Sequence, residues 1–373
     1  MTAPLFRVLI TADAVGGVWQ YSLDLALGLT QLGIQPIVAV LGPSPDESQR
    51  EAAADIEGLK LIDTGLPLDW LSMDASATVR AGEAVAALAE EEGVDLVQLN
   101  MPALAAGALF RQPVVAVQHS CVASWWEAVK GSDLPQDFAW RTDLVRAGLK
   151  AASTVVTPSS AFAAVTQRLY NLPATPSTVY NGRTRLTVLE GASHDFAFTA
   201  GRLWDEGKNL RTLDQAAARL GIPVHAAGPI EGPNGAKVTL DHVHALGTIP
   251  DQEIGRWLSA RPVFVSAALY EPFGLAVLEA ASAGCPLILS DIPTFRELWD
   301  GVATFIPAHD AQAFALAIED VVGDAFTREA MGKAAQERAA RFTPDAMAAQ
   351  MAAVYRRLLP IQAKPVLAAR AAA

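Results

Sequence analysis

The sequence predicts an α/β protein made of two doubly wound parallel-sheet domains, and three observations carry that expectation. Short β-branched runs alternate with helix-length amphipathic segments along the whole chain, which is the rhythm of strand–crossover–strand units. The chain has 373 residues, more than one core holds, because single cores stop growing at about 250–300 residues. The alternation breaks once, across NGRTRLTVLEGASHD at 181–195, and then restarts.

In the first half, strands are expected at 7–12, 36–40, 95–99, 113–117, 154–157 and 177–180. Most are apolar on both faces, as a sheet covered on both sides requires. Between them, Trp19 to Leu32 sets Trp19, Leu23, Leu27 and Thr30 on one helical face, and the Ala/Glu-rich segment 75–92 is a second helix. In the second half, strands are expected at 196–200, 223–227, 243–246, 262–266, 286–290 and 304–306. The resulting division is 1–185 for the N-terminal domain and 186–342 for the C-terminal domain. A helix at 343–359 opens on Thr343-Pro344 and is expected to cross back to the N-terminal domain, and an Ala/Pro-rich tail occupies 360–373. No period of about 20–50 residues repeats, which excludes a solenoid.

Composition narrows the function classes. Apolar residues make up 51% and charged residues 18% of the chain, the usage of a folded protein with a large core. Twenty-eight basic against forty acidic side chains give a net charge of -12, the wrong sign for gripping a nucleic-acid backbone. The only cysteines, Cys121 and Cys285, are far apart, so neither a disulfide framework nor a thiolate metal cluster is expected, in keeping with a reducing cytoplasm. No apolar run reaches the ~18 residues of a membrane span, and the start lacks a signal-peptide pattern. Charge is uneven: residues 130–185 carry seven basic and three acidic groups. Lys130, Arg141, Arg146, Lys150, Arg168, Arg183 and Arg185 would face an anionic acceptor or a lipid surface, or else form ordinary solvated helix faces.

The richest segment for chemistry is YEPFGLAVLEAASAG at 270–284, which follows an apolar strand and opens a helix. Pro272 suits a first helical turn, and backbone amides at Phe273, Gly274 and Leu275 would point at a ligand beyond the strand end. Glu271 and Glu279 stand eight residues apart, about 12 Å along a helix, a spacing that suits hydroxyls at two ends of an elongated ligand. A dipole-favouring Glu271 and a solvated Glu279 are the plain alternative, but the helix around Glu279 is nearly free of charge, which favours a buried or ligand-facing carboxylate. GRLWDEGKN at 201–209 places Arg202 and Lys208 after another strand, a fork and a point charge suited to a diphosphate. Gly16 and Gly17 let the loop after the first strand pass close to a ligand. His119 ends a strand and precedes Trp125 and Trp126, which with Trp70 and Trp140 would stack on an acceptor or simply pack the core.

Other chemistries are disfavoured. Neither G-x-G-x-x-G with a following acid nor G-x-x-x-x-G-K-[ST] occurs, which argues against a nicotinamide oxidoreductase and a P-loop hydrolase. His242 and His244 would share a strand face without further ligands, and no Asp-x-Asp pair is present. No structural zinc and no metal held by such a pair are expected.

These residues resemble a GT-B fold glycosyltransferase of family 4, over nearly the whole length. The sharpest match is Glu271 to Glu279, similar to the family's E-x7-E signature in its form EPFGxxxLEA, followed by AxGxP at Ala283 to Pro286. The Gly16-Gly17 loop, His119, the VxNG step at Val179 to Gly182, the GRL…KN element and SDIPxxRE at Ser290 to Glu297 support it. The Arg202–Lys208 gap is one residue longer than in the family's commonest form.

The resemblance implies two Rossmann-like domains facing each other across a cleft, the N-terminal one binding the acceptor and the C-terminal one the nucleotide-sugar donor. It implies transfer with retention and no required metal or other cofactor. His119, Arg202, Lys208 and Glu271 would carry the catalysis. Gly16, Gly17, Arg202, Lys208, Gly228, Gly247, Ile249, Phe273, Gly274, Leu275 and Glu279 would bind the donor, Glu279 through its ribose. The acceptor would be a glycan, a lipid-linked molecule or a small molecule. The enzyme would be cytoplasmic, with residues 130–185 as the place for peripheral membrane contact. A non-catalytic nucleotide-sugar-binding protein and an epimerase are the competing readings.

Overall fold

A computed structural model describes residues 4–69, 72, 74–188, 194–233 and 235–359. Trp70 and the tail 360–373 lie outside them. The first half runs β1 (Phe6–Asp13), α1 (Gly17–Gln31), β2 (Ile34–Leu41), α2 (Glu47–Ala54), β3 (Lys60–Asp63), α3 (Ala75–Glu91), β4 (Leu96–Leu99), β5 (Val114–Val117), α4 (Val122–Lys130), α5 (Ala139–Ala151), β6 (Thr154–Thr157), α6 (Ser160–Tyr170) and β7 (Ser177–Thr178). The second runs β8 (Ala197–Ala200), α7 (Leu210–Ala217), β9 (Val224–Ala227), β10 (Val243–Gly247), α8 (Asp251–Ser259), β11 (Val263–Ser266), α9 (Leu275–Ser282), β12 (Leu287–Ser290), α10 (Pro293–Trp299), β13 (Ala303–Ile306), α11 (Ala311–Gly323), α12 (Ala325–Ala339) and α13 (Pro344–Leu358).

The strands form two wholly parallel sheets, ordered β3-β2-β1-β4-β5-β6-β7 and β10-β9-β8-β11-β12-β13. In each sheet the order reverses once, between β1 and β4 and between β8 and β11. The carboxyl ends of the strands at such a reversal leave a crevice, because the crossovers on either side leave in opposite directions. The loops after β1, β4, β8 and β11 therefore lie where a ligand fits.

Inner strands such as β2, with seven of eight positions apolar and buried, read clearly in the sequence. The edge strand β3, KLID, does not: it is four residues long and half-exposed, too short to show a period. Pro272 departs from expectation, because α9 begins only at Leu275 and Gly274 is its N-cap, with φ +94°. The left-handed turn at Gly274 takes the place of a proline-initiated first turn.

The face of α1 is wider than its periodicity suggests. Beyond Trp19 and Leu23, the side chains of Tyr21, Ser22, Asp24 and Leu25 are also buried. The reason is α13, which returns from the end of the chain and packs on α1, burying Met347, Met351, Ala352 and Tyr355 among Trp19, Leu25 and Phe6. A Cβ added to Gly28 would come within 2.5 Å of Ala348 Cβ, and one on Gly182 within 2.1 Å of the Thr343 carbonyl oxygen. Glycine at these two places lets the helix approach. No helix among the described residues is long and apolar enough to cross a membrane.

Candidate functional site

The residues singled out at the strand ends converge on the cleft between the two sheets. Gly16 and Gly17 connect β1 to α1, and an added Cβ on Gly17 would lie 3.4 Å from Leu275, the first residue of α9 in the other domain. Asp13 accepts a hydrogen bond from the Val15 amide at 2.9 Å. Burial pushes its carboxyl up, and Arg202 on the far side of the cleft opposes that shift. The glycine loop and Arg202 thus face each other.

The cationic element is shaped by local turns. After β8, Asp205 caps a short 3-10 turn at Glu206–Lys208, accepting from the Gly207 amide at 2.9 Å and from Arg202 at 3.1 Å. Asn209 adopts φ +54° and donates to the carbonyls of Ala267 and Ala308 at 2.9 and 2.7 Å. This anchoring turns Lys208 toward Glu271, to whose carboxylate its ammonium donates. A small pocket opens there, lined by Gly201, Lys208, Ser266, Glu271, Gly274 and Val277. Arg202 itself is 48% exposed at the cleft. The set offers two cations, a carboxylate and an α-helix start, which suits an anionic ligand that also carries hydroxyls.

Gly228 and Gly247, at the ends of β9 and β10, close the same crevice from the side. The Gly228 amide donates to Gly247 at 2.8 Å. A Cβ on Gly228 would fall 1.8 Å from the carbonyl oxygen of Gly201, just after β8, so only glycine allows the ends of β8 and β9 to lie this close. Ile249 packs half-buried at the rim, and Phe273 is buried beneath α9. Phe273 thus reaches this region through its backbone, its ring being part of the core.

Sequence reasoning missed the partner of Glu279. Arg183, grouped there with a basic surface stretch, is only 5% exposed. Its Nε donates to Glu279 Oε1 at 2.6 Å, its terminal nitrogens lie 2.6 Å from Asp251 Oδ2 and 3.6 Å from Asp24 Oδ2. Asp24 on α1 also accepts from the Thr184 amide and hydroxyl at 3.0 and 2.5 Å. Burial pushes the carboxyls of both Glu279 and Asp24 up, and Arg183 opposes this at each. Arg183 lies in the segment where the strand rhythm breaks, and nothing local in the sequence pairs it with residues 96 positions later.

His119 follows β5 and is partly buried. Its Nε2 lies 3.1 Å from Asn100 Oδ1, and its ring meets Tyr21 edge-on with centroids 4.4 Å apart. Asn100 Nδ2 donates to the Thr11 carbonyl at 2.8 Å, so its Oδ1 is an acceptor and His119 carries its proton on Nε2. Burial pushes the imidazole down to about 3, which keeps it neutral. Gln98 donates to the same Asn100 oxygen at 2.9 Å and accepts from Tyr355 of α13 at 2.5 Å. The C-terminal helix thereby braces the histidine through two buried amides.

Most of the basic stretch 130–185 is engaged within the protein. Lys130 pairs with Glu206 and Arg168 with Glu127. Arg141 donates to the Ser72 carbonyl and lies over Trp140, while Arg146 pairs with Asp143. Lys150 and Arg185 are exposed. Trp125 donates to Asp205 of the other domain at 2.8 Å, and Trp126 leans on Phe138, so these two rings help join the domains and build a small aromatic cluster. His242 and His244 do not share a strand face: His242 precedes β10 and its amide binds Asp214, while His244 lies against His225 with ring centroids 5.3 Å apart.

Comparison with known proteins agrees with the two parallel-sheet domains. Residues 15–183 match the family described as Glycosyltransferase Family 4, and residues 234–338 the one described as Glycosyl transferases group 1. The D-inositol 3-phosphate glycosyltransferase of Corynebacterium diphtheriae is 31% identical over 139 residues, 33% of this chain and 33% of that protein. The phosphatidyl-myo-inositol mannosyltransferase of Mycobacterium leprae is 30% identical over 119 residues, 31% of this chain and 32% of that one. The chain therefore aligns with about a third of the length of these relatives. Among solved structures, sucrose-phosphate synthase from Thermosynechococcus elongatus superposes with a TM-score of 0.78 at 21% identity, over 95% of this chain and 99% of that one. Anabaena Alr3699/HepE, solved in complex with UDP-glucose, gives 0.70 at 17% identity, over 95% and 100%.

Proposed function

This chain belongs to the family 4 glycosyltransferases of the GT-B fold, and on that premise we propose that it moves a hexose from a nucleoside-diphosphate sugar to an acceptor hydroxyl with retention. The observation that carries this reading is that Lys208 and Glu271 pair in one pocket at the start of α9, while Arg202 acts on Asp13 and Gly17 approaches Leu275 across the switch points of the two sheets. A diphosphate lying between the glycine loop and Arg202 and Lys208 has its charge met from both domains. Those cations stabilise the leaving group as the glycosidic bond breaks, and with them in place the reaction needs no metal. Glu271 and the amides at Gly274 and Leu275 hold the transferred sugar's hydroxyls, and Glu279 holds the ribose. Backbone around Gly228, Gly247 and Ile249 reads the base.

The proposed chemistry is same-face attack. The bond from the anomeric carbon to the phosphate oxygen breaks, the acceptor oxygen bonds that carbon on the same face, and the acceptor proton passes to the departing phosphate. His119, neutral and with its Nε2 proton turned to Asn100, borders the sugar as a neutral polar wall. The two curated relatives are named for an inositol phosphate and a phosphatidylinositol, which supports a polyol or lipid-linked acceptor.

The test is thermal unfolding of the protein against UDP, GDP and ADP, their sugars and NAD, with and without chelator, repeated on Glu279→Ala. One nucleotide family is expected to stabilise the protein, by about 2.7 kcal/mol at a hundredfold excess over Kd, with the effect surviving chelator and absent from the variant. Stabilisation by NAD alone, or by no nucleotide, would sink the proposal.

A further inference from the structure

We propose that Arg183 is a positioning residue for donor recognition: it holds the Glu279 carboxylate in the orientation that receives the ribose and ties that orientation to Asp24 of the N-terminal domain, so that donor binding and domain closure draw on one contact. The proposal rests on the reading of Glu279 as the ribose ligand given above.

Its basis is the geometry of the crossing between domains. Arg183 and Thr184 lie between α1, which carries Asp24, and the helices α8 and α9, of which Asp251 is the first residue of α8 and Glu279 lies midway along α9. The guanidinium meets all three carboxylates, and Thr184 adds two hydrogen bonds to Asp24. Arg183 Nε takes one oxygen of Glu279 at 2.6 Å; the other is left to accept from a vicinal hydroxyl pair. A planar fork with five donors meets three carboxylates at once, which a lysine ammonium on a flexible stem does not do in one fixed geometry. Asp24 is 2% and Glu279 13% exposed, against 58% for Asp251, so the two carboxylates joined by Arg183 are those that water serves least.

The same arrangement sets a pH signature. The charged groups facing Glu279 are Arg183, Asp251 and Asp24, one cation among carboxylates. Without Arg183, burial and two like charges act together on Glu279, and its neutral form takes over nearer to neutral pH. A protonated carboxyl accepts hydroxyls poorly, so donor affinity falls at low pH and recovers as the group ionises.

The experiment measures KM and kcat with UDP-glucose, or with GDP-mannose or ADP-glucose where the nucleotide panel selects those bases, from pH 6 to 9 on wild type, Arg183→Gln and Arg183→Lys. Arg183→Gln is expected to raise donor KM about 10- to 100-fold at pH 7, the scale of one lost charge-assisted hydrogen bond. That KM should fall toward the wild-type value by pH 9, while kcat at saturating donor changes much less. Arg183→Lys should flatten the pH profile again yet keep an intermediate KM. A KM raised equally at every pH, or a loss of thermal stability with donor KM unchanged, overturns the proposal. Should Arg183→Gln not fold, Asp24→Asn replaces it: a several-fold rise in donor KM supports the tie to the N-terminal domain, and an unchanged KM refutes it. A wild-type protein that binds none of the nucleotide sugars refutes the glycosyltransferase reading instead, which keeps the two failures apart.

Discussion

Replacing Lys208 by methionine removes a charge while keeping most of the side chain's length, and it separates the ion pair with Glu271 from the proposed task of meeting leaving-group charge. Its stem runs beside Gly201, with Cε 3.5 Å from where a Cβ there would sit, so methionine still packs. The ammonium is lost from the partner of Glu271, in a pair 21% and 15% exposed. A carboxylate left without its donor in such a setting costs about 1–3 kcal/mol. The expected loss in turnover is about 10²–10³-fold, the scale of removing one donor that stabilises developing charge. The assay is release of nucleoside diphosphate at saturating donor, beside urea unfolding of the same preparations. Lys208→Met with Glu271→Gln should regain part of the stability, because no unpaired charge remains, but none of the turnover. A kcat for Lys208→Met within about threefold of wild type, at unchanged stability, would show that Lys208 bears no leaving-group charge.

Three further outcomes are expected. Gly182→Ala should destabilise the protein by about 1–3 kcal/mol, measured by urea unfolding, since its Cβ would press on the Thr343 carbonyl from which α13 starts. Glu297→Ala should cost about 1 kcal/mol, because Glu297 accepts from the Ser160 and Ala161 amides at 2.8 and 2.7 Å and so caps α6 across the domain interface; unfolding that is unchanged would mean that water replaces it. For His119, the folded value of about 3 lies below its ordinary 6.5, so the unfolded chain takes up the proton first and stability falls as pH drops from about 6.5 toward 3. Thermal unfolding from pH 8 to 4 should show wild type losing more than His119→Gln, and parallel curves would contradict the burial argument.

Much of the fold was legible because strand and helix periods are local. The two sets of alternating elements and the strand-end positions of Gly17, Arg202 and Glu271 follow from neighbours within a dozen residues; the eight-residue step from Glu271 to Glu279 does not run along one helix, because α9 begins at Leu275. The errors also have local causes. Pro272 suggested a helix start that Gly274 takes over with its left-handed turn, β3 was too short and exposed to show alternation, and α1 appeared to need one covered face.

What the sequence by itself determined, then, is which residues stand at the ends of strands and which segments carry apolar faces. Tertiary structure alone decided what those residues touch. Arg183 reads as one more surface cation until the chain crossing brings it to Glu279, 96 positions away, and to Asp24 on α1. The return of α13 to the first domain was expected, but Tyr355 reads as an ordinary helix residue until its hydroxyl meets Gln98 across 257 positions, bracing Asn100 and His119. The physical reason is common to both. Periodicity records whether a side chain is buried, whereas the partner of a buried charge or hydroxyl is set by which distant element covers it.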